Sequence, residues 1–178
     1  MPTKRHPIRR PHADELGRLR DIEVAAGGLF AGVGMTYISD HDPPPAELLE
    51  RYRRDGRAWV STDSENRPVA YLIADLVDGN VHIEQVSVHP EFSRRGIGRS
   101  LIDHTETWAA GRGHGALTLT TFAEVPWNGP YYVRCGFTPM AGPDMGPELA
   151  ARLAEESERG LGRHPRVAMI RPVRPDGT

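Results

Sequence analysis

Apolar residues recur along this chain with two periods, and the changes between them mark the elements. Ile8-Arg9-Arg10 follows a short polar leader and is predicted to form a first edge strand. From Ala13 to Phe30, Leu16, Leu19, Ile22, Val24, Ala25, Leu29 and Phe30 fall close to helical spacing, and Gly27-Gly28 should break or bend that helix. A loop at Ser39 to Asp42 leads into Pro43-Pro44-Pro45, which suits a first helical turn, so Ala46 to Arg54 is a second helix. Three strand-like runs follow: Ala58 to Ser61, Val69 to Val77, and Val81 to Val88. A turn at Ser64 to Pro68 separates the first two, and Asp78-Gly79-Asn80 is a hairpin signal between the others. Glu84, Gln85 and Ser87 interrupt the alternation of the third run, as a bulge would.

After His89-Pro90 the period becomes helical again. Ile97, Leu101, Ile102, Trp108 and Ala109 share one face, with Arg99, Asp103, Glu106 and Thr107 on the other, which predicts a helix from Gly98 to Ala110 that stops at Gly111. Leu117 to Thr121 alternates as a strand, Trp127 to Arg134 reads as a short helix ended by Gly136, and Phe137 to Met140 begins another strand. Pro147 to Glu158 is a charged helix whose Arg152, Glu155, Glu156 and Arg159 read as a solvated face with i,i+4 pairs. Val167 to Ile170 closes the series as a strand. The pattern is that of a mixed α/β single layer with helices on both faces.

Length and composition narrow the class. The 178 residues suit one domain over 1–178, with short flexible ends at 1–6 and 173–178. A formal net charge of -2 offers no field for nucleic acid or an anionic membrane. Cys135 is the single cysteine, so no intrachain disulfide forms, and a reducing cytoplasm is the expected location. No apolar run has the length of a membrane span or a signal peptide. A monomer or homodimer is expected, with the apolar strand at Val167 to Ile170 available for pairing across a dimer.

The most informative segment runs from Val86 to Ser100, where a strand and short loop lead to two glycines opening a helix. Glycines let backbone N–H groups converge, and a helix N-terminus adds about half a positive charge, so the pair makes an anion site. Arg94, Arg95 and Arg99 add full charges beside it. A dinucleotide fingerprint needs a third glycine where Leu101 stands, and a phosphate loop needs a Gly-Lys-Ser/Thr that is absent.

Here the chain resembles the GNAT acetyltransferase superfamily, whose acetyl-CoA motif is Gln/Arg-x-x-Gly-x-Gly/Ala after a strand ending near a proline. Gly96-Ile97-Gly98 matches, His89-Pro90 has the usual spacing, and the Gln/Arg position is Ser93. The resemblance implies a central mixed, mostly antiparallel twisted sheet of six to seven strands with about four to five helices on both faces. It implies that backbone groups of Arg94, Arg95, Gly96, Ile97, Gly98, Arg99 and Ser100 hold the pyrophosphate of acetyl-CoA. By the same resemblance Val86, Ser87 and Val88 line the pantetheine arm, with Val86 or Val88 as oxyanion donor.

A second match lies in Val125-Pro126-Trp127-Asn128-Gly129-Pro130-Tyr131-Tyr132-Val133-Arg134-Cys135-Gly136-Phe137. The family commonly carries Asn, then Tyr-x-x-x-Gly-Phe. Tyr132 to Phe137 fits, while Asn128 stands one turn before the tyrosine instead of two. A subset of the family shares the Val-Pro-Trp-Asn stretch. Tyr132 suits a general acid for a departing coenzyme A thiolate, since a phenol of pKa ~10 can protonate a thiolate whose conjugate acid titrates at ~8–9. Asn128 is assigned to the cofactor, Tyr131 to packing, and Cys135 to the apolar interior.

The implied reaction is direct attack of an amine on the acetyl-CoA thioester. Its base is left between His82 and Glu84, which share one strand face, with Glu124 as a third candidate. Glu23, on the first helix, would border the acceptor pocket and attract a cationic amine, and Glu124 is placed there too. No His or Cys pair has metal spacing, so no metal is expected. The acceptor is a small-molecule or peptide amine of unspecified identity, and longer acyl groups stay open. The alternative is a non-catalytic acyl-CoA-binding sensor, which would need neither Tyr132 nor the carboxylates.

Overall fold

The computed structural model describes residues 6–175. Residues 1–5 and 176–178 of the expected flexible ends lie outside the described residues. What is described of those ends is tied down: a His6 ring nitrogen lies 3.0 Å from the Thr62 carbonyl, Val173 N–H donates to Gly115, and Arg174 N–H to Glu106.

Seven strands form one open sheet: β1 (Ile8–Arg9), β2 (Ala58–Thr62), β3 (Pro68–Val77), β4 (Asn80–Val88), β5 (Ala116–Phe122), β6 (Thr138–Pro139) and β7 (Arg166–Pro172). Their order is β1-β2-β3-β4-β5-β7-β6. Pairing is antiparallel for β1–β2, β2–β3, β5–β7 and β6–β7, and parallel for β4–β5. The six α-helices described are α1 (Leu16–Gly27), α2 (Thr36–Ser39), α3 (Ala46–Arg54), α4 (Ile97–Ala110), α5 (Gly129–Arg134) and α6 (Pro147–Glu158). One more helix appears than expected because α2 occupies a single turn of a segment with no apolar period. Gly27-Gly28 does end α1, and the chain continues as a 3-10 turn to Val33.

The chain forms two compact units, one of residues up to Ala74 with Gln85–His104, the other of Asp75–Glu84 with Thr105 onward. In the first, Leu16, Leu19 and Ile22 of α1 and Leu49 and Tyr52 of α3 bury against Val60, Tyr71 and Ile73 of the sheet. Their spacing of three puts the α1 residues on one face. Val24 and Leu29, expected on that face, are 54% and 46% exposed.

In the second unit the β3–β4 hairpin and α6 hold each other. Asp78 and Gly79 both have positive φ, 50° and 78°, the backbone of a two-residue hairpin turn. The Asp78 carboxylate accepts from the N–H groups of Glu148 (3.1 Å) and Leu149 (2.9 Å), capping α6 from another element. Gly146, at the N-cap, leaves the room: a Cβ there would stand 2.3 Å from the Asp78 carboxyl carbon. Gly129 opens α5 in a similar way, since its Cβ would stand 2.4 Å from the Ala123 carbonyl oxygen.

Three expectations from the sequence are corrected here. Glu106 is not on the outer face of α4; it is buried with Arg171, and Arg174 also reaches it. Arg152 and Glu156 make tertiary contacts instead of i,i+4 pairs: Arg152 binds Asp75 and Glu84, and Glu156 binds Thr120 and Arg166. The strand at Val167 to Ile170 is interior, paired along β5 on one side and with β6 at Met169 and Ile170 on the other, so it is not an edge strand of the sheet.

Candidate functional site

The loop before α4 belongs to the first unit. His89 accepts from the Glu91 N–H, and Pro90–Phe92 makes one 3-10 turn. Both donors of Ser93, its N–H and its hydroxyl, go to the Pro90 carbonyl at 3.2 and 2.7 Å, so neither is free for a ligand in this arrangement. Arg94 and Gly96 then adopt φ of 60° and 74°. Left-handed backbone costs an arginine and favours glycine, and it curls successive N–H groups toward one side. Among the described residues, the N–H groups of Arg94, Arg95, Gly96, Ile97 and Gly98 have no protein acceptor. A Cβ at Gly96 would meet nothing within 4 Å.

Side chains around that loop are partly committed. The Arg95 guanidinium lies 5.0 Å from the Phe92 ring centroid and donates to the Glu91 carbonyl. Ser100 directs both its N–H and its hydroxyl to the Gly96 carbonyl, each at 3.0 Å. Ile97 and Gly98 are buried at the first turn of α4. Arg94 and Arg99 are exposed.

In the second unit, β4 and β5 pair through Val81↔Leu117 and His82↔Thr118. The parallel register is short, although β5 continues to Phe122 against β7 and β4 runs on to Val88. His82 lies at its end. It is 1% exposed, with Nδ1 3.0 Å from the Thr118 hydroxyl and Nε2 3.9 Å from Glu84. Burial first, then the Arg152 charge, lowers its pKa from 6.5 to about 4, against a smaller opposite pull from Asp75. The imidazole is therefore neutral at pH 7.

Glu84 sits two residues on, its side chain 36% exposed. Arg152 of α6 binds it and also donates to Asp75 at 2.9 Å. Burial raises the Glu84 carboxyl above the ordinary value; Arg152 pulls it down, Asp75 and Glu156 push it up, and the net direction is upward. One guanidinium thus holds two carboxylates beside a sealed imidazole. The hairpin and the Asp78 cap set this geometry, because they fix where α6 lies along β3 and β4.

Tyr132 and Asn128 are brought together on α5. The Tyr132 N–H donates to the Asn128 carbonyl at 2.9 Å, and the half-buried Tyr132 ring packs 5.9 Å from Phe137 and 5.2 Å from Tyr131. Asn128 does not cap the helix with its side chain; its Oδ1 accepts from the Thr121 hydroxyl at 2.6 Å. At the other end of α5, buried Arg171 donates to the Cys135 carbonyl at 3.0 Å, a cation against the negative end of the helix. Cys135 is buried. Glu124 is exposed in the turn before α5.

Glu23 belongs to the first unit. Its Oε2 accepts from the hydroxyls of Tyr71 (2.8 Å) and Ser87 (2.6 Å), and Gln85 donates to the Ser87 oxygen. Ser87 thus faces Glu23, while Val86 and Val88 are half-buried neighbours on the strand. Sequence reasoning missed Asp75, Arg152 and Tyr71. A lone acid in the apolar run of β3 was the available signal for Asp75; the partners of Arg152 and Tyr71 lie too far along the chain for spacing to reveal.

Comparison with known proteins agrees with this architecture. Residues 30–137 match the model of the acetyltransferase (GNAT) family. The fold is similar to the ribosomal-protein-S18-alanine N-acetyltransferase of Escherichia coli, at 16% identity and a TM-score of 0.66, covering 97% of this chain and 96% of that one. A GNAT-family acetyltransferase of Staphylococcus aureus superposes with a TM-score of 0.72 at 13% identity, over 94% and 99% of the two chains. A third, the N-acetyltransferase YhbS of Escherichia coli solved in complex with CoA, gives 0.61 at 17% identity, over 98% and 84%.

Proposed function

Because the chain belongs to the acetyltransferase (GNAT) family, we propose that it moves an acetyl group from acetyl-CoA to a primary amine of a small molecule or peptide, by direct attack in a ternary complex. The observation that carries this reading is the row of five backbone N–H groups, Arg94 through Gly98, left without protein acceptors at the start of a fourteen-residue helix. Such a row, with a helix N-terminus behind it, fits a pyrophosphate. The open space over Gly96 admits a phosphate that any side chain would crowd.

Acetyl-CoA supplies an acyl carbon activated by its thioester. Gly96, Ile97, Gly98, Arg94 and Arg95 bind the pyrophosphate through their N–H groups, and Arg99 adds charge. Ser100 contributes only after its hydroxyl turns from Gly96. Val86, Ser87 and Val88 hold the pantetheine arm by backbone, and an N–H of Val86 or Val88 receives the oxyanion. Asn128, at the start of the helix that carries Tyr132, contacts the cofactor. The amine nitrogen attacks the carbonyl carbon, a C–N bond forms, the C–S bond breaks, and Tyr132 gives its proton to the leaving thiolate.

The proton released from the amine goes to Glu84 through water. Glu84 keeps an edge in solvent and its carboxyl is raised by burial, which makes it a better acceptor than an ordinary glutamate. His82 is sealed and titrates near 4, so it acts as the positioning group between Thr118 and Glu84. Glu124, on an exposed turn, is left at the substrate rim. On this reading, 1–178 is a single acetyltransferase domain. The test is release of the CoA thiol from acetyl-CoA in the presence of a panel of amines. Amine-dependent thiol release is the expected result; acetyl-CoA binding with no release for any amine contradicts transfer.

A further inference from the structure

Glu23 is half-buried on α1, and both of its hydrogen bonds converge on one oxygen. Tyr71 donates to Oε2, and so does Ser87, whose own oxygen is held by Gln85. The direction of donation is set: Gln85 to Ser87, Ser87 to Glu23, Tyr71 to Glu23. Two hydroxyl donors on one oxygen fix the orientation of the Glu23 side chain. Burial, and then the charge of Glu23, push the Tyr71 phenol well above 10, so it stays a donor. Oε1 has no hydrogen-bond partner, and no arginine, histidine or lysine pairs with this carboxylate among the described residues. That sets it apart from Glu84, Glu106 and Glu156, each of which binds an arginine.

The helix face one turn beyond it carries only small residues. Ala26 and Gly27 follow three and four residues on, the positions that share its helix face. A Cβ built at Gly27 would meet nothing within 4 Å. An oriented, half-buried glutamate with no counter-charge, on a helix face that is open one turn on at Gly27, suits a cation.

Two positions in the substrate suit that cation unequally. A bare carboxylate against the reacting nitrogen would favour its ammonium form and oppose attack, because a nearby opposite charge stabilises the charged state. The same carboxylate against a second nitrogen binds the substrate without that penalty. We propose that Glu23 is a specificity-determining residue that receives a second, non-reacting ammonium of the acceptor, making the substrate class a diamine or an amine with another basic group. This rests on the acetyltransferase reading for its chemistry, but the binding it describes is separate from turnover.

Calorimetry with and without CoA tests it, at pH 7, where both kinds of amine are protonated. The probes are α,ω-diamines of three to six carbons, each compared with the monoamine of the same length. At least one diamine binds about 10- to 100-fold more tightly than its monoamine, the range of one hydrogen bond between charged groups. In Glu23→Gln, which keeps an oxygen for Tyr71 and Ser87, the ratio falls to about one. Equal binding of diamines and monoamines by the native protein, binding of neither, or a ratio unchanged in Glu23→Gln overturns the proposal. A diamine preference without any thiol release from acetyl-CoA contradicts the transferase reading and leaves Glu23's role standing. Acetylation of amines with no diamine preference does the reverse.

Discussion

His82 is 1% exposed, and its pKa falls from 6.5 to about 4, by burial first and the Arg152 charge second. An unfolded chain takes up this proton near pH 6.5, whereas the folded chain resists until about pH 4. Between those values the unfolded state binds more protons, so stability drops as pH falls. The loss between pH 7 and pH 5 amounts to about 2 kcal/mol for this group. Denaturant melts at those two pH values measure it, and His82→Gln should flatten most of the difference. His104, also lowered by burial, shares the window, while Glu15, Glu106 and Asp63, whose pKa values are lowered, lose their contributions only at more acid pH. Tyr132→Phe removes a proton donor but keeps the ring against Phe137, so turnover should fall ~10- to 100-fold with little change in acetyl-CoA binding. A turnover equal to the native protein's would leave Tyr132 a packing role alone. The sequence placed Tyr132 on its helix by motif and spacing. It said nothing of the seal around His82, because Thr118 comes from a strand 36 residues on.

Elements carry the next set of consequences. The loop into α4 was legible in advance because two glycines, a proline and a change of period are local signals; the commitment of Ser93 and Ser100 to their own turn was not. Gly96→Asp puts a side chain into positive-φ backbone and a negative charge where the N–H groups converge. Acetyl-CoA affinity should fall at least about tenfold, ~1.4 kcal/mol, in a titration; unchanged affinity would remove the loop from the site. α6 is a different case. Its borders followed from proline at its start and its charged pattern, yet Arg152 binds Asp75 and Glu84, 77 and 68 residues away. Periodicity shows that a face is polar without showing what faces it. Arg152→Gln withdraws the cation that holds Glu84 down, so the Glu84 carboxyl rises further. The acid limb of kcat/KM should therefore move to higher pH, and an unmoved limb would detach Glu84 from the base role.

At the scale of the whole molecule, the seven strands followed from the apolar runs and turn signals, and the mostly antiparallel sheet from the family resemblance. The interior position of β7 did not, since an apolar strand at the end of a chain reads equally well as an edge. β3 and β4 each contribute residues to both compact units. Breaking either strand disturbs both, so the chain should unfold in one transition. Trp59 lies in one unit and Trp108 and Trp127 in the other. In Trp59→Phe the remaining fluorescence should report the same midpoint as far-ultraviolet circular dichroism, and two separate midpoints would show independent units. The central claim, that the glycine turn and helix α4 hold acetyl-CoA, is reached most directly by calorimetric titration of the native protein with acetyl-CoA and, separately, NADH. Micromolar binding of acetyl-CoA with none for NADH is the predicted result. Absence of acetyl-CoA binding, or equal binding of NADH, would contradict it.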